Sequence, residues 1–362
     1  MNILRQIASI LYHNKYLEYK IKGYLLGVPV YKKTTNRFYI RKSFARIAYS
    51  FKRTYKYCYH GGFEKARLRR FYQGFSTPEF PEKFRLLTEG LDTRSKFTVS
   101  RIINRIREVQ ELPVKGKDVY TVQEQKLLSD LNDEFYANIV DLAEKLFCYG
   151  EYYLPVRHFE PSVFFYKHGL AHVQNPEKLK DKDILDIGGF IGDSVLVLSP
   201  YTNRTVYSFE AVAGQRQLMQ KTLELNKIKN AKIVPLALGS RKESVEIVVN
   251  GSSSCISKDN FARAVREKVD MDTLDNYVVQ NGIQVGLIKV DIEGFEQEFL
   301  KGAVNTIKTQ KPVLVLSIYH NWSDFFDIKP MIESWNLGYK FKIVKPIDGA
   351  ILAETLLIAE VR

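Results

Sequence analysis

Between Lys182 and Ala211 the chain sets an acid, a cluster of glycines and a second acid in an order that can hold a nucleoside. Asp186 lies within the apolar run 184–187, Gly188, Gly189 and Gly192 follow it, and Glu210 closes a second apolar run, 205–209. Glycines let a backbone approach a ligand, a helix opening at Asp193 and Ser194 would offer free N–H groups, and an acid ending the second run can accept from ribose hydroxyls. The order D-x-G-x-x-x-G departs from the G-x-G-x-x-G of a dinucleotide site, because Phe190 fills the place of its second glycine. A carboxylate inside the turn suits a ligand with a cationic amino-acid end better than a pyrophosphate. That favours S-adenosylmethionine over NAD, with a turn built only for packing as the third alternative.

A second group lies downstream. The apolar run 287–290 delivers Asp291 and Glu293, and the run 313–318 delivers His320. A histidine has the right ordinary pKa for a general base, and paired carboxylates can take a proton, orient an acceptor or hold a divalent metal. The bland alternatives are a histidine outside the chemistry and acids that cap the following helix. Positioning is preferred to metal binding, because no third ligand is evident. His168 and His172 stand four apart, the spacing of a helical zinc pair, but Gly169 and the strand-like context oppose that reading. No metal is expected.

The elements that must position these residues read as alternating strands and helices over 180–362. The tail offers strands at 339–344 and 354–361, paired at a sheet edge. This pattern specifies a doubly wound, mostly parallel sheet with its ligands at the C-terminal strand ends, where Asp186, Glu210, Asp291 and His320 all fall. Upstream, helical spacing covers 92–110. A capping box at Thr121 and Glu124 opens a long helix with Leu128, Leu131, Phe135, Ile139, Leu142 and Leu146 on one face, stopping at Gly150. Residues 151–173 read as strands with a turn near His168. The expected organisation is a basic, aromatic helical extension over 1–80, a helical region over 81–150 and an α/β domain over 151–362.

Charge is unevenly placed. Residues 1–80 hold 17 Lys and Arg against 3 Asp and Glu, and the remaining 37 basic and 38 acidic residues nearly cancel. Eleven of the 22 tyrosines fall within residues 1–75. An amphipathic helix is expected over 37–60, with Ile40, Phe44, Ile47, Phe51, Tyr55 and Cys58 on its apolar face. Such a segment suits an anionic membrane surface, or packs its stripe on the following domain; RNA contact is a third use, without a recognisable RNA-binding motif. No apolar run reaches the roughly 18 residues of a membrane span, and the first 20 residues lack the pattern of a signal peptide. Cys58, Cys148 and Cys255 are odd in number and far apart, which favours a reducing cytoplasm over a disulfide framework.

From about residue 183 onward the chain resembles the FkbM family of S-adenosylmethionine-dependent methyltransferases. The similarity rests on the turn Asp186–Gly188–Gly192–Asp193–Ser194, Phe209–Glu210, Ala237–Gly239, Asp272–Asp275, the run Ile288–Glu296 and Ser317–His320. Gly189 and Phe190 stand where many members have alanine and asparagine, and Ser317 where many have an acid. The resemblance implies a Rossmann-like class I methyltransferase domain and S-adenosylmethionine as cofactor. It carries the cofactor site onto Asp186, Gly188, Gly189, Gly192, Asp193, Ser194, Glu210, Ala211, Ala237 and Leu238. It further implies O-methylation of a sugar hydroxyl on a surface glycan or its precursor, lipid-linked or nucleotide-linked. His320, Asp291 and Glu293 are the catalytic candidates. A cytoplasmic enzyme, peripheral at the inner face of the membrane, would follow.

Three rival classes remain. An RNA methyltransferase would grip phosphates with the basic segment, but the chain has Asp291-Ile292-Glu293-Gly294 in place of an N-P-P-Y-like tetrapeptide. A non-enzymatic scaffold is opposed by the intact glycines and acids. An NAD-linked sugar oxidoreductase would need a Y-x-x-x-K pair near the site.

Overall fold

The computed structural model describes residues 19–25, 28–33, 62–112, 119–249, 255–256 and 265–361. The chain divides into two units, 1–59 and 60–362. In the first, strands Tyr19–Leu25 and Val28–Lys33 pair antiparallel as a hairpin, an element that the helical reading of this extension did not include. The helix expected over 37–60 lies outside the described residues.

The second unit is built on a seven-stranded sheet: β1 (Asp183–Ile187), β2 (Val206–Phe209), β3 (Ala231–Val234), β4 (Val285–Val290), β5 (Val313–Ser317), β6 (Tyr339–Val344) and β7 (Leu356–Val361). Their order across the sheet is β6-β7-β5-β4-β1-β2-β3. β4 pairs parallel with both β1 and β5, and β7 runs antiparallel to both of its neighbours. This is the Rossmann-like class I methyltransferase sheet that the sequence leads one to expect, with one adjustment. The reversed strand, β7, sits inside the edge, and β6 is outermost. Every residue of β1, β4 and β5 is buried, as their unbroken apolar runs require of strands covered on both faces. β1 and β4 are neighbours from opposite halves of the sheet, and a crevice opens where their two crossovers diverge.

The helices Gly62–Gly74, Phe80–Thr88 and Thr93–Glu111 pack on this domain. Leu68, Phe71, Val99, Ile102 and Ile106 share one core cluster with Leu185, Ile288 and Leu316. Phe71 meets the Trp322 ring edge-on at 5.7 Å, and Oε1 of Glu64 accepts from the backbone N–H groups of Ile351 and Leu352. Residues 62–75 are therefore part of the α/β unit's core. The capping box at Thr121–Glu124 forms as expected, and Glu124 also pairs with buried Arg105.

Two sequence expectations are corrected here. The helix opening at Val122 ends at Glu134, and Ile139–Ala143, Leu146–Tyr149 and Tyr152–Leu154 form a three-stranded meander. Leucines spaced for a helix face also fit strands broken by a turn, and Lys145 at φ 60° supplies that turn. Past Leu154, residues 161–164 form a helical turn and 167–172 a distorted 3-10 segment, with His168 and Gly169 at positive φ. Pro155 and Pro161 remove the donors that a continuing strand would need.

The glycine turn after β1 is shaped by the protein's own packing. A Cβ on Gly188 would stand 2.0 Å from the Asp291 carbonyl oxygen; one on Gly189 would meet the Ser208 hydroxyl at 1.9 Å, and one on Gly192 the Met219 side chain at 2.7 Å. Gly189→Ala is accordingly expected to lose about 1–3 kcal/mol by overpacking. Gly214→Ala, whose Cβ would meet nothing within 4 Å in the helix Ala213–Leu225, should gain about 0.5–1 kcal/mol. Urea unfolding of the two variants beside the parent checks both signs.

Candidate active site

The site starts from a buried ion pair. Asp186 on β1 is in register with Lys289 on β4 and with Ser208 on β2. Lys289 Nζ stands 3.0 Å from Asp186 Oδ1 and donates to the Gly188 carbonyl at 2.8 Å. Oδ2 of Asp186 accepts from the hydroxyls of Ser194 (2.8 Å) and Ser208 (2.7 Å). Burial works against the Lys289 charge, but Asp186 and Asp291 outweigh it and hold its pKa above the ordinary lysine value. These contacts tie three strands, the glycine turn and the helix Asp193–Leu198 at one level of the sheet.

Above them lies a cavity of about 330 Å³. Its wall includes Gly188, Asp193, Ser194, Glu210, Ala211, Ala237 and Leu238, seven of the ten residues expected for the cofactor. Asp186, Gly189 and Gly192 are placed behind the wall, where Asp186 holds the turn rather than facing a ligand. Glu210, at the end of β2, accepts from the backbone N–H of Phe190 at 3.0 Å through Oε2 and from that of Val212 at 2.8 Å through Oε1. Both oxygens keep lone pairs for further donors. Burial raises its pKa to about 7, against the opposing pull of the two N–H groups, Arg216 and Lys289. Burial likewise lifts Asp193 to about 6. Leu236, Ala237, Leu238 and Ile247 make an apolar stretch beside Glu210, contributed partly by the small sheet that pairs Glu243–Val248 with Arg266–Asp272 and the latter with Ala237–Leu238. An oriented carboxylate beside an apolar stretch fits a ribose and a purine, so the residues present suit S-adenosylmethionine.

The other end of the cavity is acidic. Asp291 and Glu293 line it, joined by Glu64, Glu160 and Glu354, with Tyr319 among them. The Tyr319 hydroxyl donates to Glu354 at 3.2 Å, and Arg67 lies over the Tyr319 ring. Burial raises Asp291, lifts Glu293 to about 7 and Glu354 to about 8. Glu293 holds φ at 56°, a left-handed conformation that non-glycine residues seldom adopt.

His320 does not line the cavity, and its assignment as general base is corrected. The residue is 4% exposed; Nδ1 lies 2.9 Å from Glu296 Oε1, and Nε2 lies 3.4 Å from Asp291 Oδ1 and 3.6 Å from Glu293 Oε2. Burial would lower its pKa, but the carboxylates of Glu296, Asp291 and Glu293 overcome that and raise it to about 9. An imidazole already protonated at neutral pH takes no proton from a substrate. A different set comes together beside the pair: Asp291, Glu296 and His320 bring one ligating atom each within 4.8 Å of one another. His168 and His172 do not share a helix face, because His168 and Gly169 take positive φ inside a distorted 3-10 segment; burial depresses the His168 pKa to about 3.

Glu160, Glu354, Tyr319, Arg67 and His168 reach the cavity from segments that sequence reasoning passed over as structure or extension. Tyr319 alone left a signal, one residue before His320. The others come from loops whose convergence depends on the fold.

With this geometry in hand, relatives can be compared. Residues 186–341 match the model of the methyltransferase FkbM domain. A protein of Beauveria bassiana (strain ARSEF 2860) named Methyltransferase 1 is 24% identical over 189 residues, covering 46% of this chain and 75% of that protein. The crystal structure of methyltransferase FkbM from Methylobacillus flagellatus KT superposes with a TM-score of 0.51 at 18% identity, covering 80% of this chain; the chain spans 60% of that structure's length.

Glu210 accepts hydroxyl protons best when ionised, so donor affinity should follow its titration. Below its pKa of about 7 the carboxyl gains a proton, and the affinity for S-adenosylhomocysteine should fall by up to about tenfold per pH unit. Calorimetry between about pH 6 and 8 checks this, with Glu210→Gln expected to bind more weakly and without that slope.

Proposed function

We propose that this methyltransferase, whose residues 186–341 are an FkbM methyltransferase domain, moves a methyl group from S-adenosylmethionine to a sugar hydroxyl of a glycan or glycan precursor. The observation that carries the acceptor class is the charge of the cavity wall. Glu64, Glu160, Asp193, Glu210, Asp291, Glu293 and Glu354 line it, against Arg67 and Lys289, and Lys289 is spent on Asp186 and the Gly188 carbonyl. A phosphate entering this wall meets like charge. A neutral polyol meets hydrogen-bond acceptors for its hydroxyls.

S-adenosylmethionine supplies a methyl group already activated on sulfonium sulfur. The protein's part is to hold the acceptor oxygen in line and to take its proton. Glu210, oriented by the N–H groups of Phe190 and Val212, grips the nucleoside end. Asp291 and Glu293 face the acceptor end and receive the hydroxyl proton, a role that typically contributes about 10²–10⁴-fold. Alignment between the two ends supplies much of the remainder.

We further propose a lipid-linked acceptor at an anionic membrane surface. Within residues 1–59 there are 13 Lys and Arg and one acid, the balance such a surface attracts. Among the described residues no helix is long and apolar enough to cross a membrane. The same basic segment is what an RNA methyltransferase would use.

Labelled-methyl transfer to lipid-linked glycans, nucleotide sugars and RNA separates these readings. Label in the sugar of a glycan supports the proposal, and label in RNA alone overturns it. In the double variant Asp291→Asn, Glu293→Gln, kcat should drop by about 10²–10⁴-fold while S-adenosylhomocysteine affinity stays within about twofold.

A further inference from the structure

We infer that Asp291, Glu293 and His320 bind one divalent cation at the C-terminal ends of β4 and β5, with Glu296 holding the imidazole in place. The hydrogen bonding assigns the histidine. Oε1 of Glu296 already accepts from the Ile292 backbone N–H at 3.0 Å, which fixes it as an acceptor. Nδ1, 2.9 Å away, must therefore be the donor to it.

That leaves Nε2 aimed at two carboxylates and deeply buried. It makes no hydrogen bond, and its distances of 3.4 Å to Asp291 and 3.6 Å to Glu293 exceed those of an ordinary N–H···O bond. A ligand nitrogen and a ligand oxygen that each stand about 2.1 Å from one ion are separated by about this much. A carboxylate behind the far ring nitrogen is the usual support of a metal-bound histidine. The set of two carboxylates and one imidazole suits a first-row ion such as Mn²⁺ better than Ca²⁺. Asp291 and Glu293 line the cavity and His320 does not, so the remaining coordination positions face the acceptor end. An ion there would bind a hydroxyl oxygen and lower its pKa, the proton passing to the carboxylate oxygen of Asp291 or Glu293 that the ion leaves free. That role rests on the methyl-transfer reading, whereas the existence of the site does not.

The test uses the full chain freed of metal by chelation and titrated with Mn²⁺, the free ion being followed by electron paramagnetic resonance. One Mn²⁺ per chain is expected. His320→Ala and the double variant Asp291→Asn, Glu293→Gln should each lose saturable binding. Glu296→Ala should weaken it by about 10–100-fold, with partial recovery in Glu296→Gln, whose amide oxygen can still accept from Nδ1. Circular dichroism melts and S-adenosylhomocysteine binding on the same samples show that the variants remain folded. Absence of Mn²⁺ binding by the parent chain at millimolar ion would overturn the proposal, as would unchanged binding by folded His320→Ala. Binding by the parent that is lost in the folded variants would establish the site, whatever acceptor proves to be methylated.

Discussion

The pairing of Asp186 with Lys289 inside the sheet is the interaction on which the rest of the structure depends. Two charges in a dry interior repay their desolvation only when their hydrogen bonds are complete. Here Ser194 and Ser208 donate to Asp186 Oδ2, while Lys289 stands 3.0 Å from Oδ1 and donates to the Gly188 carbonyl. Because the pair spans β1 and β4, it fastens the two halves of the sheet together where their crossovers part. The glycines finish the clamp: Gly188 passes so close to the Asp291 carbonyl that any side chain would push the two loops apart. The nucleoside end and the acceptor end of the cavity are thereby held by one polar cluster.

That cluster also sets the electrostatics of the site. Lys289 is the cation nearest the floor of the cavity, and it is committed to Asp186, so the acids that line the cavity above it are left with little compensation. Burial raises the pKa values of Asp193, Glu210, Asp291, Glu293 and Glu354, and each of these becomes a better proton acceptor than a surface carboxylate. Burial alone raises Glu210, whereas His320 is raised by the crowding of Glu296, Asp291 and Glu293 around it. A divalent cation between Asp291, Glu293 and His320, taking the place of the Nε2 proton, would relieve that crowding at its densest point.

Much of this was legible in the chain. The unbroken apolar runs of β1, β4 and β5 announce buried parallel strands, and the acids and glycines at their ends mark the rim where ligands sit. The capping box at Thr121 and Glu124 was equally plain. Other features were hidden for physical reasons. Asp186 reads as a ligand-facing acid, yet register places it opposite Lys289 and Ser208, which no linear spacing reveals. His320 reads as a base because its neighbours Glu293 and Glu296, which hold its proton, are 27 and 24 residues away in sequence. The 139–149 segment deceived because a turn at Lys145 lets leucines spaced for a helix serve two strands. Glu64, Glu160 and Glu354 come from three distant stretches, and only the packing of helix Gly62–Gly74 and the loops after Leu154 and Leu352 brings them to one wall.

The central claim is that the crevice between the glycine turn and Glu210 holds the nucleoside. A crystal structure of the protein with S-adenosylhomocysteine tests it most directly. The account predicts ribose hydroxyls within about 2.6–3.2 Å of the Glu210 carboxylate, with the adenine against Leu236, Leu238 and Ile247. Density for the nucleoside anywhere outside this cavity, or a bound ribose that leaves Glu210 untouched, would contradict it.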